Sequence, residues 1–87
     1  MLIKDVRALL MGKVISYYDG WNGSRDYFKI GHIEKRSNTL FCVYAEKGKG
    51  WGVVLTDECI KKLAECNEYK RKNTIEGGTY EIRYSLC

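Results

Sequence analysis

The stretch GGTYEIRYSL, residues 77–86, carries the clearest structural pattern in the chain. Apolar or aromatic residues occupy every second position from Tyr80 to Leu86, and polar or small residues stand between them. Successive side chains of a β-strand point to opposite faces, so this alternation predicts a strand with one face towards a core. The two glycines in front of it predict a turn that leads into the strand.

Four more strands are predicted upstream, joined by short turns. The run DGWNGS, residues 19–24, contains both Asp-Gly and Asn-Gly, which are strong hairpin signals. Residues 39–45 are apolar on both faces, as a central strand of a sheet would be. Ile33 shares the face of Phe28 and Ile30 only if Gly31 marks a bulge. The predicted strands cover residues 13–18, 26–35, 39–45 and 51–55.

Two amphipathic helices are also predicted. In the first, apolar residues recur about one helical turn apart, at Leu2, Val6, Leu9 and Leu10. Gly12 is well placed to end this helix. The apolar residues share one side of the helix, so the first helix is expected to pack that side against the sheet.

The second predicted helix starts at Thr56, whose hydroxyl can cap it, and carries Ile60 and Leu63 on its apolar stripe. Lys70, Arg71 and Lys72 are expected to close this helix, because cations are favoured at the negative end of the helix dipole.

The predicted order is therefore αββββαβ. Consecutive strands with tight turns favour antiparallel pairing, and helices beside such a sheet define the α+β class. We expect one α+β domain over residues 1–87: a bent or partly closed antiparallel sheet of about five strands, an N-terminal helix, and a second helix before the last strand.

Composition restricts the classes of function. The net charge is +4, which permits a phosphate-bearing partner without requiring one. No apolar run approaches the roughly 18 residues of a membrane span, so no membrane partner is expected. Cys59 and Cys66 fall seven apart in the predicted helix, about 10 Å, which is too far for a disulfide. Reduced thiols of this kind favour a cytoplasmic protein.

Catalysis is not expected. The usual general base is histidine, and the chain has only His32, with Cys42 on the next strand as the one nucleophile it could activate. No Cys-x-x-Cys pair exists to suggest a zinc site, and no cofactor motif is found. A lone strand histidine is more often a surface or half-buried residue than a catalytic one.

Two aromatic turns are candidate binding sites. Trp21 lies between glycines, with Asn22 and Arg25 nearby, and is either packed on the domain's own core or held out as an anchor for a partner. The run KGKGWG, residues 47–52, places Lys47, Lys49 and Trp51 at a hairpin tip, where they could hold a phosphate and stack on a base. A flexible tip without function is the alternative.

A third candidate site is the basic run at the end of the predicted second helix. Tyr69, Lys70, Arg71 and Lys72 could contact phosphates together. The structural alternative is that these cations only favour the end of the helix.

One partial resemblance has a bearing on function. The segment ALLMGKV, residues 8–14, followed by GWNG, residues 20–23, is similar to the opening of phage-encoded sponges for cyclic nucleotide signals. The similarity covers about a fifth of the chain, and the remainder does not follow that family's pattern. It implies a protein that sequesters a small nucleotide ligand.

These observations together predict a non-catalytic binding module. A protein partner is the leading hypothesis, because the turns carry tryptophan and tyrosine of the kind that anchor interfaces. Inhibitors and accessory factors of mobile elements are often chains of this size, so such a role is expected. Nucleic-acid binding through the basic and aromatic turns is the first alternative, and sequestration of a small ligand is the second. The sequence leaves the oligomeric state open.

Overall fold

The computed structural model describes residues 1–47, 50 and 52–87. Within them, two helices and seven strands follow one another as α1 (Ile3–Leu10), β1 (Val14–Asp19), β2 (Ser24–Lys29), β3 (His32–Lys35), β4 (Leu40–Tyr44), β5 (Val53–Thr56), α2 (Asp57–Cys66), β6 (Glu68–Ile75) and β7 (Gly78–Leu86). The predicted α+β class, the N-terminal helix and the antiparallel pairing are confirmed.

The strands form two antiparallel sheets instead of one sheet of about five strands. The first has four strands in the order β2-β1-β7-β6, and the second has three in the order β3-β4-β5. Strand β7 contains the alternating stretch quoted above and lies between β1 and β6. The four-stranded sheet is therefore assembled around the C-terminal strand.

The predicted strand 26–35 is divided between the two sheets. Ile30 donates its backbone N–H to the Lys13 carbonyl in the first sheet at 2.8 Å, whereas Gly31 donates to the Tyr44 carbonyl in the second sheet at 2.9 Å. A Cβ atom on Gly31 would lie 2.2 Å from the Ala45 carbonyl oxygen. Gly31 is therefore the crossing point between sheets, where two backbones approach too closely for a side chain, rather than a bulge within one strand.

The second helix is shorter than predicted. Thr56 caps it as expected, accepting a hydrogen bond at 3.1 Å from the Cys59 backbone N–H, but α2 ends at Cys66. Asn67 adopts a left-handed conformation with φ 60°, which a helix cannot continue through. Residues 70–72 therefore lie in β6, where pairing with β7 prevails over their helical propensity, and α2 precedes two strands.

The core lies where the helices meet the two sheets. Fully buried residues come from α1 (Val6 and Leu10) and α2 (Ile60 and Leu63), and they join Phe41 of the three-stranded sheet in one cluster. The described helices are too short or too polar to cross a membrane.

Candidate functional site

One side of the four-stranded sheet faces away from the core. Ile82, Tyr84 and Leu86 are buried, so the intervening Arg83 and Ser85 of β7 project to the other side, as the alternation predicted. We call this second side the open face. Its residues, taken from the strand pairing, are Val14, Ser16, Tyr18, Arg25, Tyr27, Lys29, Glu68, Lys70, Lys72, Thr74, Thr79, Glu81, Arg83 and Ser85.

A single cross-strand row brings four of these side chains together. Tyr18 of β1 pairs with Arg25 of β2 on one side and with Arg83 of β7 on the other, and Arg83 pairs with Lys70 of β6. Directly opposed residues of antiparallel strands have Cβ atoms about 5 Å apart. The row therefore crosses all four strands as cation, aromatic, cation, cation, and we call it the cationic row.

The Tyr18 ring is held between two guanidinium groups. The Cζ atom of Arg25 lies 4.9 Å from the ring centroid, and that of Arg83 lies 5.6 Å from it. Cations at these distances from a ring centroid are attracted to the negative face of the ring. Beside them, Tyr27 is 76% exposed, and a cavity of about 470 Å³ opens among these side chains. The open face thus presents to solvent an aromatic surface flanked by two arginine side chains.

The charge of the open face is positive but partly balanced. Arg83 donates a hydrogen bond to Glu81, which lowers the pKa of that carboxyl and raises the pKa of the guanidinium. Lys70 Nζ lies 3.1 Å from a Glu68 carboxylate oxygen. Five cations thus stand against two carboxylates: Arg25, Lys29, Lys70, Lys72 and Arg83 against Glu68 and Glu81.

The basic run after α2 does not act as one cluster. Because β6 is a strand, Lys70 and Lys72 point to the open face, whereas Tyr69 and Arg71 point to the opposite side with Tyr84. The placement of residues 69–72 at a helix end is therefore wrong, and the four side chains do not share one face, while their binding role stays a prediction. Each face receives half of the predicted residues.

Trp21 is exposed at the turn between β1 and β2. Its side chain is 63% exposed, and its ring centroid lies 5.7 Å from that of Tyr80. Trp21 is therefore a surface residue and is not packed into the core. The turn is held by two side chains: Asp19 accepts from the Trp21 N–H at 2.9 Å, and Asn22 accepts from the Ser24 N–H at 2.8 Å. Asn22 therefore has a structural role in shaping this turn.

The second predicted aromatic turn is only partly described. Lys47 is exposed. Lys49 and Trp51 lie outside the described residues, so the site proposed for that tip stays a prediction.

His32 and Cys42, the one pair considered for catalysis, are not directly opposed across the strands. The register places His32 opposite Tyr44, and Cys42 opposite Glu34. The His32 Nε2 atom lies 3.4 Å from a Glu34 carboxylate oxygen, and Cys42 is only 3% exposed. Within residues 1–47, 50 and 52–87, no three acidic, cysteine or histidine residues are grouped so as to bind a metal ion.

Three residues of the site were missed from the sequence: Tyr18, Tyr27 and Arg83. The alternation of β7 places Arg83 on the polar side of its strand. Nothing in the sequence indicates that β1 pairs with β7, a pairing between segments more than 60 positions apart, and this pairing brings Arg83 to Tyr18.

Comparisons with known proteins leave the site to be interpreted on its own chemistry. In comparisons with protein-family models, with curated proteins and with solved structures, nothing matches the chain. They add no support to the similarity with nucleotide-signal sponges.

Proposed function

We propose that the chain is a non-catalytic binding module whose open face takes single-stranded nucleic acid. The observation that supports this function is the Tyr18 ring flanked by Arg25 and Arg83, next to the exposed ring of Tyr27. Proteins that bind single strands combine cations that follow the backbone with aromatic rings on which bases stack. Both elements stand here on one sheet face.

The geometry favours single strands over duplexes. Bases stack on an aromatic ring only when they are not already stacked and paired within a helix, so the exposed ring of Tyr27 selects unpaired bases. Guanidinium planes such as those of Arg25 and Arg83 also stack on bases while they bind phosphate oxygens. Lys29 and Lys72 extend the positive charge towards the sheet edges.

The proposal is tested by fluorescence anisotropy with a labelled single-stranded oligonucleotide at low salt. Each phosphate neutralised should contribute about −0.7 to the slope of log K against log salt. Tyr27→Leu should weaken binding about fivefold or more, because stacking on one ring contributes about 1–3 kcal/mol per base, while Tyr27→Phe keeps the ring. Lys61→Gln, on the exposed side of α2, is the control. Undetectable binding at low salt would contradict the proposal.

A protein partner is the second candidate, and the exposed indole of Trp21 favours it. A tryptophan 63% exposed on a turn braced by Asp19 and Asn22 is of the type that anchors an interface. This proposal includes a role in the cytoplasm as an inhibitor or accessory factor of a mobile element. Affinity purification from the native host, with nuclease added, should recover a partner that Trp21→Ala loses and Tyr27→Leu retains. Recovery of no protein by the unmodified chain would contradict it.

A further inference from the structure

A groove lies on the other side of the four-stranded sheet, lined also by residues of β4 and β5. Two adjoining cavities of about 160 and 200 Å³ share Val54, Arg71 and Tyr84 as lining residues. The cavities therefore form one groove, which we call the Arg71 groove. The open face lies on the opposite side of the same sheet, so the two sites are separate.

One wall of the Arg71 groove is aromatic. Tyr84 of β7 pairs directly with Tyr17 of β1 and with Tyr69 of β6. Their ring centroids lie 5.4 Å and 6.0 Å from that of Tyr84. Tyr84 is buried, while the two outer rings are half-exposed and border the groove. Three adjacent rings thus provide an extended aromatic wall.

The opposite wall is aliphatic and open to solvent. Val54 of β5 is 50% exposed and Leu40 of β4 is 36% exposed, and both line the groove. A ligand that covers exposed apolar side chains removes their surface from water, which favours binding. A space bounded by rings on one side and aliphatic groups on the other suits a flat, apolar body.

Arg71 gives the groove its charge. Burial raises the pKa of Tyr84 to about 12, and Arg71 acts against that rise through its charge and through a hydrogen bond that its guanidinium donates to the Tyr84 hydroxyl. Burial also raises the pKa of Tyr17 and of Tyr69, and the charge of Arg71 acts against both rises. The guanidinium of Arg71 is therefore near enough to all three tyrosine hydroxyls of the wall to affect their pKa values.

The carboxylates near the groove interact with its rim. After burial, the next cause that raises the pKa of Tyr17 is the charge of Asp19, and for Tyr69 it is the charge of Glu58. Among the described residues, no carboxylate lies within 4 Å of Arg71. The guanidinium of Arg71 is thus the cation that an anion entering the groove would meet.

We propose that the Arg71 groove is a binding site for a small anion with a flat, apolar body, such as an aromatic carboxylate or an aryl phosphate. The guanidinium forms paired hydrogen bonds with the anionic group, and the body lies between the tyrosine wall and Val54. The site does not depend on nucleic-acid binding at the open face.

The test is a titration of the isotope-labelled protein with phenyl phosphate, followed by NMR of backbone amides. Binding should occur with a Kd of about 1 mM or tighter, and the shifts should centre on Val54, Tyr69 and Tyr84. Phenol and inorganic phosphate each carry half of the proposed chemistry, so each should bind at least tenfold more weakly.

Variants separate this site from the open face. Arg71→Gln should weaken phenyl phosphate binding at least tenfold, and Arg71→Lys, which keeps the charge but loses the paired geometry, should weaken it less. Lys61→Gln, on the exposed side of α2 and outside both sites, should leave the affinity unchanged. The amide spectrum of each variant reports whether it is folded.

Two results would overturn the proposal. One is phenyl phosphate binding no more tightly than inorganic phosphate. The other is binding that Arg83→Gln abolishes and Arg71→Gln leaves intact, because the ligand would then occupy the open face. Loss in Arg71→Gln with partial retention in Arg71→Lys supports it.

Discussion

The guanidinium of Arg25 lies over the ring of Tyr18, with its Cζ atom 4.9 Å from the ring centroid. The two residues are separated by the whole β1–β2 turn and are directly opposed in the register. Arg83 approaches the same ring from the neighbouring strand. Two cations therefore flank one aromatic ring on the open face.

Glu81 is expected to limit the affinity of the open face for polyanions, since its carboxylate accepts a hydrogen bond from Arg83. Glu81→Gln removes a negative charge and should tighten oligonucleotide binding about two- to fivefold at low salt. Arg83→Gln should weaken it by at least as much. Anisotropy at two salt concentrations measures both, and weaker binding by Glu81→Gln would contradict the proposed site.

Gly31 is expected to be required for the crossing between the two sheets. A Cβ atom there would lie 2.2 Å from the Ala45 carbonyl oxygen, so Gly31→Ala must displace backbone. We expect a loss of about 3 kcal/mol in the free energy of unfolding, measured by urea denaturation. Gly78→Ala is the matched control, because its added Cβ meets no atom within 4 Å, and it should change stability by less than about 0.5 kcal/mol.

The four cysteines are expected to fall into two classes of reactivity. Cys66 and Cys87 are exposed, whereas Cys42 and Cys59 are buried, and burial raises the pKa of the Cys59 thiol to about 12. Only the thiolate reacts with a disulfide reagent such as DTNB. Native protein should release two equivalents rapidly, and the denatured protein four. A rapid third equivalent in native protein would show that the core opens readily.

The stability of the fold is expected to fall in strong base. Burial raises the pKa of Tyr84 to about 12, from an ordinary value near 10, so the unfolded chain loses this proton first. The stabilisation is therefore complete below about pH 10 and disappears as the pH rises through about 12. Burial acts in the same direction at Cys59.

A single substitution isolates the contribution of Tyr84. Urea denaturation between pH 9 and pH 12 should show a shallower decline for Tyr84→Phe than for the unmodified chain, by up to about 2 kcal/mol. Tyr27→Phe, at a position 76% exposed, serves as the control and should follow the unmodified chain. Parallel curves for Tyr84→Phe and the unmodified chain would contradict the assignment to Tyr84.

Local chemistry made several elements predictable. Thr56 caps α2, the run 19–24 forms the β1–β2 turn, and the alternation of 80–86 separates buried from polar residues of β7. In each case the signal comes from residues adjacent in the chain. Hydrogen bonding of a side chain to its own backbone, turn geometry and the period of a strand need no distant partner.

Sequence patterns were enough to identify the apolar segments, the turn at 19–24 and the side of β7 that faces the core. The crossing between sheets at Gly31, the strand over residues 68–75 and the contact of Arg83 with Tyr18 depend on tertiary structure. The reason is that strand pairing joins residues far apart in the chain, and the energy of that pairing prevails over local helical preference. The candidate site is a product of this pairing, since a row across four strands exists only once their register is set.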